Sequence, residues 1–469
     1  MKFRLLPILL TLNLAFSAPL ARAIDLLGVY ELALRYDPKL HAAEAQRNAA
    51  LENKPQAIAR LLPTLSAQTG LSRQAVQTGD SPFLAFDLRR NVGFWQATGT
   101  VSLLQPIYRH ELWVQLSQAD NTIAEAEALY AAEQQNLILR VTQAYFDVLY
   151  NLAAVRFAKA ELESIERERE QAKARFEAGL AAITDLDEAQ AAYDRARAGI
   201  IIAENDLNNA REALRQIVGE DPGEIDPLQT EIELQAPVPE DLEQWNESAQ
   251  RNGLTIIAAN NRAEKAKKEI DVQFAGNYPS IDLVANASFF DNNRPPFPNR
   301  FQQQDIGMQI NVPIFEGGGV NSRVKQARFN FESASQRVDE ERRAIRTRVK
   351  NTFRAVLSAM GEARAFASAI HSSERALEAA RAGMEVGTRT MTDVLFVQRQ
   401  YYQNLRDHAR SLRDYIVNSI GLKEAASVLR REDLERVNVW LQPASTTRSA
   451  SEGSRGRQTR ERHRTPAPQ

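Results

Sequence analysis

The chain has 469 residues, and its 58 lysines and arginines nearly balance its 60 aspartates and glutamates, so its overall charge gives no general attraction to nucleic acid. The mean hydropathy of −0.41 resembles that of a water-soluble protein and argues against a bundle of membrane-spanning helices. Cysteine is absent, which excludes disulfides, thiolate metal sites and acylation of an N-terminal cysteine. Any attachment to a membrane must therefore come from the fold.

Residues 1–23 have the pattern of a secretory signal peptide. Lys2 and Arg4 precede an apolar run over residues 5–20, and the segment ends in Ala21-Arg22-Ala23, a small-x-small cleavage pattern. A retained anchor helix is the alternative, but the apolar run is short and is interrupted by proline. The mature chain is therefore expected in an exported compartment.

The remainder of the chain contains an internal duplication. Asp185 aligns with Asp393, an offset of 393 − 185 = 208, and both lie in similar turn segments. The same offset pairs several further residues: Val141 with Val349, Tyr145 with Phe353, Leu149 with Leu357, Gln190 with Gln398, and Tyr193 with Tyr401. The predicted units are two repeats at 24–221 and 241–425, a linker at 222–240, an equatorial segment at 426–442 and a disordered tail at 443–469.

Each repeat contains two segments in which apolar and polar residues alternate. They are predicted as strands at 62–76, 91–106, 278–290 and 303–314. Such strands suit a membrane position with one side against lipid and the other in a wet lumen, although a half-buried sheet in a soluble protein has the same period. Four strands cannot close a barrel, and an open edge is not tolerated in lipid. We therefore expect three chains to pool twelve strands.

The rest of each repeat is predicted to be helical. The long helices, at 109–178 and 320–386, would each extend on the order of 100 Å and carry apolar residues at coiled-coil spacing. Shorter helical stretches are predicted before the strands and after the long helices, at 25–60, 184–218, 241–274 and 391–425. The predicted fold class is mainly α with a transmembrane β-barrel, in which long coiled-coil helices form an α-helical tunnel coaxial with the barrel.

The strand ends and the turns together resemble the TolC family of outer-membrane channels. The matching motifs are Gln105-Pro106-Ile107-Tyr108, Pro313-Ile314-Phe315-Glu316-Gly317-Gly318, the stretch 320–327, and the turns 179–185 and 387–393. The resemblance covers residues 24–443. It implies a homotrimer in the outer membrane, with a twelve-stranded barrel and a twelve-helix periplasmic tunnel. It also implies two partners, a periplasmic adaptor and an inner-membrane ABC or proton-driven transporter, and export of proteins or small toxic compounds.

The turns at the far ends of the long helices are the candidate functional site. Gly179 and Gly387 are suited to ending a helix, because glycine adopts the left-handed conformation at little cost. Thr184 or Asp185, and Thr392 or Asp393, could cap the helices that follow, which would explain these residues without any further role.

The resemblance assigns functional roles to some of the same positions. It implies that Asp185 and Arg389, with Thr184, form a gate that constricts the periplasmic entrance, and that Asp393 supplies a carboxylate from each protomer to an acidic ring. Two residues depart from the family pattern. Met384 replaces a tyrosine of the gate, and Phe396 replaces the second acid of the ring, so weaker cation binding at the entrance is expected.

No catalytic or cofactor-binding set is apparent in the sequence. The five histidines are scattered without metal-ligand spacing, and Gly317-Gly318-Gly319 lacks the lysine of a phosphate-binding loop. We therefore predict that the protein is not an enzyme and binds no cofactor, metal or nucleic acid. The predicted function is the outer-membrane exit duct of a type I secretion or multidrug efflux system. The alternative is a periplasmic coiled-coil adaptor or scaffold without a pore.

Overall fold

A computed structural model describes residues 23–77, 91–229, 232–294 and 298–442. Residues 1–22 of the predicted signal peptide and the predicted tail at 443–469 lie outside the described residues. The structure of the described chain is mainly helical, with four antiparallel strands, as predicted. No helix in this part of the chain is both long and apolar enough to cross a membrane.

The secondary-structure elements follow nearly the same order in the two halves of the chain. The first half contains α1 (Leu26–Tyr36), α2 (Pro38–Leu51), α3 (Asn53–Ala59), β1 (Thr64–Gln77), β2 (Asn91–Tyr108), α4 (His110–Glu177) and α5 (Ile183–Val218). The second half contains α6 (Leu242–Asn252), α7 (Leu254–Phe274), β3 (Ser280–Asn292), β4 (Asn299–Asn311), α8 (Gly319–Glu385), α9 (Met391–Ala425) and α10 (Arg431–Asn438). Helix α10 lies in the segment 426–442, for which no helix was predicted.

The helical stretches before the strands are broken where one continuous helix was predicted. Asp37 ends α1 and caps α2 by accepting a 2.8 Å bond from Leu40 N, and Pro38 occupies the first turn of α2. In the second half, α6 and α7 meet at Gly253. These breaks follow from residues that favour helix ends over helix interiors.

Strand β4 spans Asn299–Asn311, so the predicted range of 303–314 was displaced at both ends. Pro313 has no N–H to give to a ladder, which explains why the strand stops before it. At the other end, Arg300 extends the pairing because it faces Asp291 on β3 and donates a 2.6 Å bond to its carboxylate.

The long helices form two antiparallel hairpins, α4 with α5 and α8 with α9. The Lys159 ammonium of α4 lies 2.8 Å from the Glu204 carboxylate of α5, and α4 also packs against α9, where Tyr402 donates a 3.0 Å bond to the Ala160 carbonyl. Nearer the strands α4 packs instead on α7, with Lys268 Nζ 2.7 Å from Ser117 Oγ. Each long helix therefore has different partners along its two halves.

The main hydrophobic core lies midway along the long helices, where α1, α4, α5, α9 and α10 meet. Its fully buried side chains include Leu26, Val29, Tyr145, Phe146, Leu214, Ile416 and Leu434. The Tyr145 hydroxyl donates a 3.0 Å bond to the Asp226 carbonyl, so the segment after α5 is fixed to this core. Beside it, Arg140 makes two bonds to the buried Asp37 carboxylate, at 3.0 and 2.9 Å.

The four strands form one antiparallel sheet in the order β1-β2-β3-β4. The register places Ser66, Ser102, Asn286 and Asp305 in one row across the sheet, and Leu65, Leu103, Ala285 and Ile306 in the next row on the opposite face. The sheet therefore has one polar and one apolar face, and its edges are β1 and β4. At its base, Arg109 holds the Asp282 carboxylate through two bonds at 2.9 and 2.7 Å, which fixes the start of α4 to β3.

Candidate functional site

The two hairpin turns have the same backbone geometry. Gly179 follows α4 with φ of 72°, and the Leu180 N–H donates a 2.8 Å bond to the Arg175 carbonyl. Gly387 follows α8 with φ of 80°, and the Thr388 N–H donates a 2.8 Å bond to the Gly383 carbonyl. Both turns are Schellman motifs, in which the left-handed residue after the helix satisfies the last carbonyls.

The helices that leave these turns begin differently. Helix α9 has Thr390 as its N-cap and a capping box, in which the Thr390 N–H donates a 3.0 Å bond to the Asp393 carboxylate and the Asp393 N–H donates a 3.2 Å bond to the Thr390 hydroxyl. Helix α5 has Ala182 at the N-cap and no side-chain cap. The predicted caps Thr184 and Thr392 are therefore wrong, because both helices start at least one residue earlier.

Asp185 therefore has no capping bond, although its position in the first turn of α5 suits a negative charge. Its side chain is half-buried, whereas those of Thr184 and Arg389 are exposed. Arg389 packs its aliphatic part against Gly383, where an added Cβ would lie 2.7 Å from Arg389 Cγ. Within the described single chain, Asp185 and Arg389 make no ion pair with each other.

The Asp393 carboxylate is held in the charged form. The bond from the Thr390 backbone N–H is the main cause that lowers the pKa of Asp393, and the Thr390 hydroxyl adds a second bond at 2.9 Å. The nearby Arg389 charge acts in the same direction. Because the capping bonds go to Oδ2, the other oxygen of Asp393 stays available to a cation.

Three contacts across the tip were not predicted from the sequence. Glu188 on α5 accepts a hydrogen bond from Thr392 on α9, and Arg175 on α4 donates a 3.3 Å bond to the carbonyl of Met384 on α8. Farther from the turns, Arg381 on α8 donates a 2.9 Å bond to Glu168 on α4. Each contact joins residues more than 200 positions apart, so local sequence patterns could not reveal it.

Both residues that depart from the family pattern have defined surroundings. Met384 is 5% exposed and belongs to an apolar cluster between the hairpins, together with Ile165, Ala172, Ala189, Leu377, Ala380, Met391, Val394 and Leu395. Phe396 is 66% exposed, one turn beyond Asp393 on α9. Met384 therefore serves as a core residue, whereas Phe396 presents an aromatic ring where a carboxylate was expected.

Comparisons with known proteins agree with this architecture. A model of the family described as outer membrane efflux protein matches residues 29–220 and 245–427. The chain is 32% identical to the outer membrane protein TolC of Vibrio cholerae serotype O1, over 94% of this chain and 99% of the relative. It is 25% identical to the proteases secretion protein PrtF of Dickeya chrysanthemi, over 93% and 95%. The solved structure of the Campylobacter jejuni CmeC outer membrane channel matches with a TM-score of 0.74 at 15% identity, over 89% and 90% of the two chains.

Proposed function

We propose, since the chain belongs to the outer membrane efflux protein family, that three copies close their sheets into one twelve-stranded barrel. The chain is a TolC-type efflux and type I secretion channel of the outer membrane, and it is not an enzyme. TolC-family channels form trimers. The observation that carries the proposal is the sheet itself. It has four strands, one apolar face and two edges, and its edge strand β4 is exposed along its whole length.

The apolar face of this sheet supports a position in lipid. On β4, Ile306, Met308 and Ile310 are 75%, 64% and 61% exposed, and they lie on the same face as Leu65 and Leu71 of β1. An isolated sheet with such a face and open edges would aggregate in water and would leave backbone groups unpaired in lipid. Joining β4 of one copy to β1 of the next removes both problems.

The two hairpins of each copy would continue the barrel as a helical tunnel in the periplasm. Three copies supply twelve helical segments around the wall, since each contributes α4, α5, α8 and α9. The hairpin turns then lie at the end farthest from the membrane. This arrangement makes the turns the entrance of the duct.

The gate is proposed to form between neighbouring copies at these turns. Asp185 is half-buried and has no capping bond, and Arg389 is exposed beside the second turn, so both charges are available to a neighbour. Thr184 would add a hydroxyl to the same contact. An exposed ion pair contributes about 0.2–1 kcal/mol, so three symmetric pairs would hold the closed state by about 1–3 kcal/mol. A partner that binds the open state better could overcome this.

The partners are proposed to be a periplasmic adaptor and an inner-membrane transporter, either an ABC protein or a proton-driven pump. The exposed apolar residues of the turns, Leu180 at 72% and Val386 at 76%, support a docking surface at this end. PrtF, which resembles this chain along most of its length, is described as a protein for secretion of proteases. The cargo is proposed to be protein or small toxic compounds, selected by the transporter.

The gate is tested by recording single channels of the purified trimer in planar lipid bilayers. The variant Arg389→Ser with Asp185→Ala should conduct several-fold more than the unmodified protein. Arg399→Ser is the matched control, because Arg399 is exposed on α9, the helix that follows the turn containing Arg389, and makes no ion pair in the described chain. Unchanged conductance in the double variant, or an equal rise in the control, would count against the gate.

The barrel and its location are tested separately by cell fractionation. The proposal requires that the protein be recovered from the outer membrane only with detergent, and that it migrate as a trimer after cross-linking. A freely soluble periplasmic monomer would overturn it.

A further inference from the structure

The polar face of the sheet contains an aromatic row. Successive rows toward the loops hold Ser66, Ser102, Asn286 and Asp305, then Gln68, Thr100, Ser288 and Gln303. The next row consists of Gly70, Thr98, Phe290 and Phe301. In the proposed barrel, on which this inference rests, the polar face lines the lumen, so two phenylalanines per copy face the water-filled path.

Phe290 and Phe301 form a stacked pair. Their ring centroids lie 5.0 Å apart with an interplanar angle of 25°, and Phe301 is 45% exposed. The neighbouring Phe289 points to the opposite, apolar face, where strand alternation predicts it. The stacked pair thus exposes apolar surface next to rows built mainly from serine, threonine, asparagine and glutamine.

A third aromatic ring on this face shows how such rings interact here. Phe94 lies on the same face nearer the loops, is 5% exposed, and has the Arg294 guanidinium 5.8 Å from its ring centroid. Among the residues that the structure describes, no lysine or arginine lies over Phe290 or Phe301. The outer ring faces of that pair, which the stacking leaves uncovered, therefore stay available to a cation from outside the chain.

The charge along the wall favours a cation at the stacked pair. Asp305, which accepts a 2.9 Å bond from Asn286, lies four residues from Phe301 on β4, about 13 Å along the strand toward the helices. A solute coming from the helical tunnel would pass this carboxylate before it reached the rings. Three copies repeat the arrangement around the lumen.

We propose that the Phe290–Phe301 pairs form an aromatic belt inside the barrel that binds aromatic cations in transit. Such a solute covers the exposed ring surface with its own apolar surface and places its positive charge over the ring faces. A small inorganic ion gains neither contact. The belt therefore distinguishes aromatic cations from small inorganic ions at the outer end of the duct, independently of any selection at the turns.

The experiment records single channels of the full-length trimer in planar bilayers with tetraphenylphosphonium as the probe. Tetrabutylammonium, which has the same charge but no ring, is the comparison ion. In the double variant Phe290→Ser with Phe301→Ser, the dwell time of tetraphenylphosphonium should fall about tenfold, or about 1.4 kcal/mol. Tetrabutylammonium should behave alike in both proteins. Phe289→Leu, on the opposite face, should change neither dwell time.

A second variant separates aromatic binding from apolar bulk and from misfolding. Phe290→Leu with Phe301→Leu keeps apolar side chains at both positions and should still shorten the tetraphenylphosphonium dwell time. An unchanged dwell time in the serine variant, or an equal loss for tetrabutylammonium, would overturn the belt. Conductance without any probe is recorded first. If the unmodified trimer does not conduct, the result counts against the duct. If it conducts normally but the serine variant leaves the tetraphenylphosphonium dwell time unchanged, the result counts against the belt alone.

Discussion

Arg381 on α8 is the hydrogen-bonding partner of a buried carboxylate on the other hairpin. Its Nε lies 2.9 Å from Glu168 Oε1 on α4, and its Nη2 lies 2.8 Å from the Ser164 hydroxyl. The Glu168 side chain is only 6% exposed, so it has little access to water. The contact lies ~14 Å from the end of α4, and any opening that separates the hairpins must break it.

Replacing Arg381 should therefore loosen the two hairpins. In Arg381→Met the Glu168 carboxylate stays buried without its charged partner, which should lower the free energy of unfolding by about 2 kcal/mol. We expect the apparent Tm of the purified protein in detergent, followed by circular dichroism, to fall by several degrees.

Two controls separate the loss of the buried contact from the loss of a positive charge in general. Arg167→Met removes an arginine of α4 whose pair with Glu163 is exposed on both sides, and it should leave the Tm nearly unchanged. The double variant Arg381→Met with Glu168→Leu should recover most of the loss, because no charge is then left buried. Equal losses in the two single variants would contradict the role given to Arg381.

Met384 should not tolerate the tyrosine that the family pattern has at this position. Its side chain is 5% exposed within the apolar cluster between the hairpins, and a larger side chain must displace its neighbours. Overpacking of this kind costs about 1–3 kcal/mol. Met384→Tyr is therefore expected to lower the Tm, and Val386→Tyr, at a position 76% exposed, should not. A higher Tm in Met384→Tyr would indicate that the tyrosine finds a partner at the gate.

The pair of Asp37 with Arg140 should make the central core sensitive to acid. Burial alone would raise the pKa of Asp37, but the bonds from Arg140 and the Leu40 N–H outweigh it and lower this pKa. A carboxyl with a lowered folded-state pKa adds stability that is complete above its unfolded pKa of about 3.9. That stability is lost as the pH falls through the folded-state pKa.

The corresponding measurement is the Tm between pH 7 and pH 2 for the unmodified protein and for Asp37→Asn. The variant should be less stable at pH 7, and the difference should shrink below about pH 4. Asp120→Asn removes a carboxylate whose pair with Lys54 is exposed, and it should change the Tm little at any pH. A constant difference between Asp37→Asn and the unmodified protein across the range would contradict this origin of the stability.

Much of this fold could be predicted because it follows local rules. Period-2 alternation identified the strands, and the absence of proline identified the long helices, since both signals depend only on neighbouring residues. Gly179 and Gly387 mark turns for the same reason. The breaks at Asp37 and Gly253 were missed, because a cap within a helical pattern is a weaker signal than the pattern itself.

The contacts at the tip could not be predicted from local sequence patterns. Thr390 was overlooked as the cap of α9 because Thr392 and Asp393 offered equally good capping side chains. The bond between Glu188 and Thr392 depends on how the two hairpins pack, which the sequence does not specify locally. Met384 has the helical spacing of a core residue, and its alignment with a gate position obscured that simpler role.

Phe396 lies one turn from Asp393 on α9, beside the proposed acidic ring. Asp393 alone would supply one carboxylate per copy, and its lowered pKa keeps it charged below the pH at which an ordinary carboxyl titrates. Phe396→Asp adds a second carboxylate one turn away on α9, at a position 66% exposed. Since more negative charge attracts cations more strongly, the La³⁺ concentration that halves the single-channel current should fall about fivefold.

Two further variants identify the source of that change. Gln403→Asp adds the same charge at another exposed position of α9, two turns farther from the tip, and should have a much smaller effect because screening weakens distant charges. Asp393→Asn should raise the half-blocking La³⁺ concentration in the unmodified background and remove much of the gain in Phe396→Asp. If Phe396→Asp and Gln403→Asp increased block equally, then charge anywhere on α9 would suffice, and Asp393 and Phe396 would not face a common ring at the entrance.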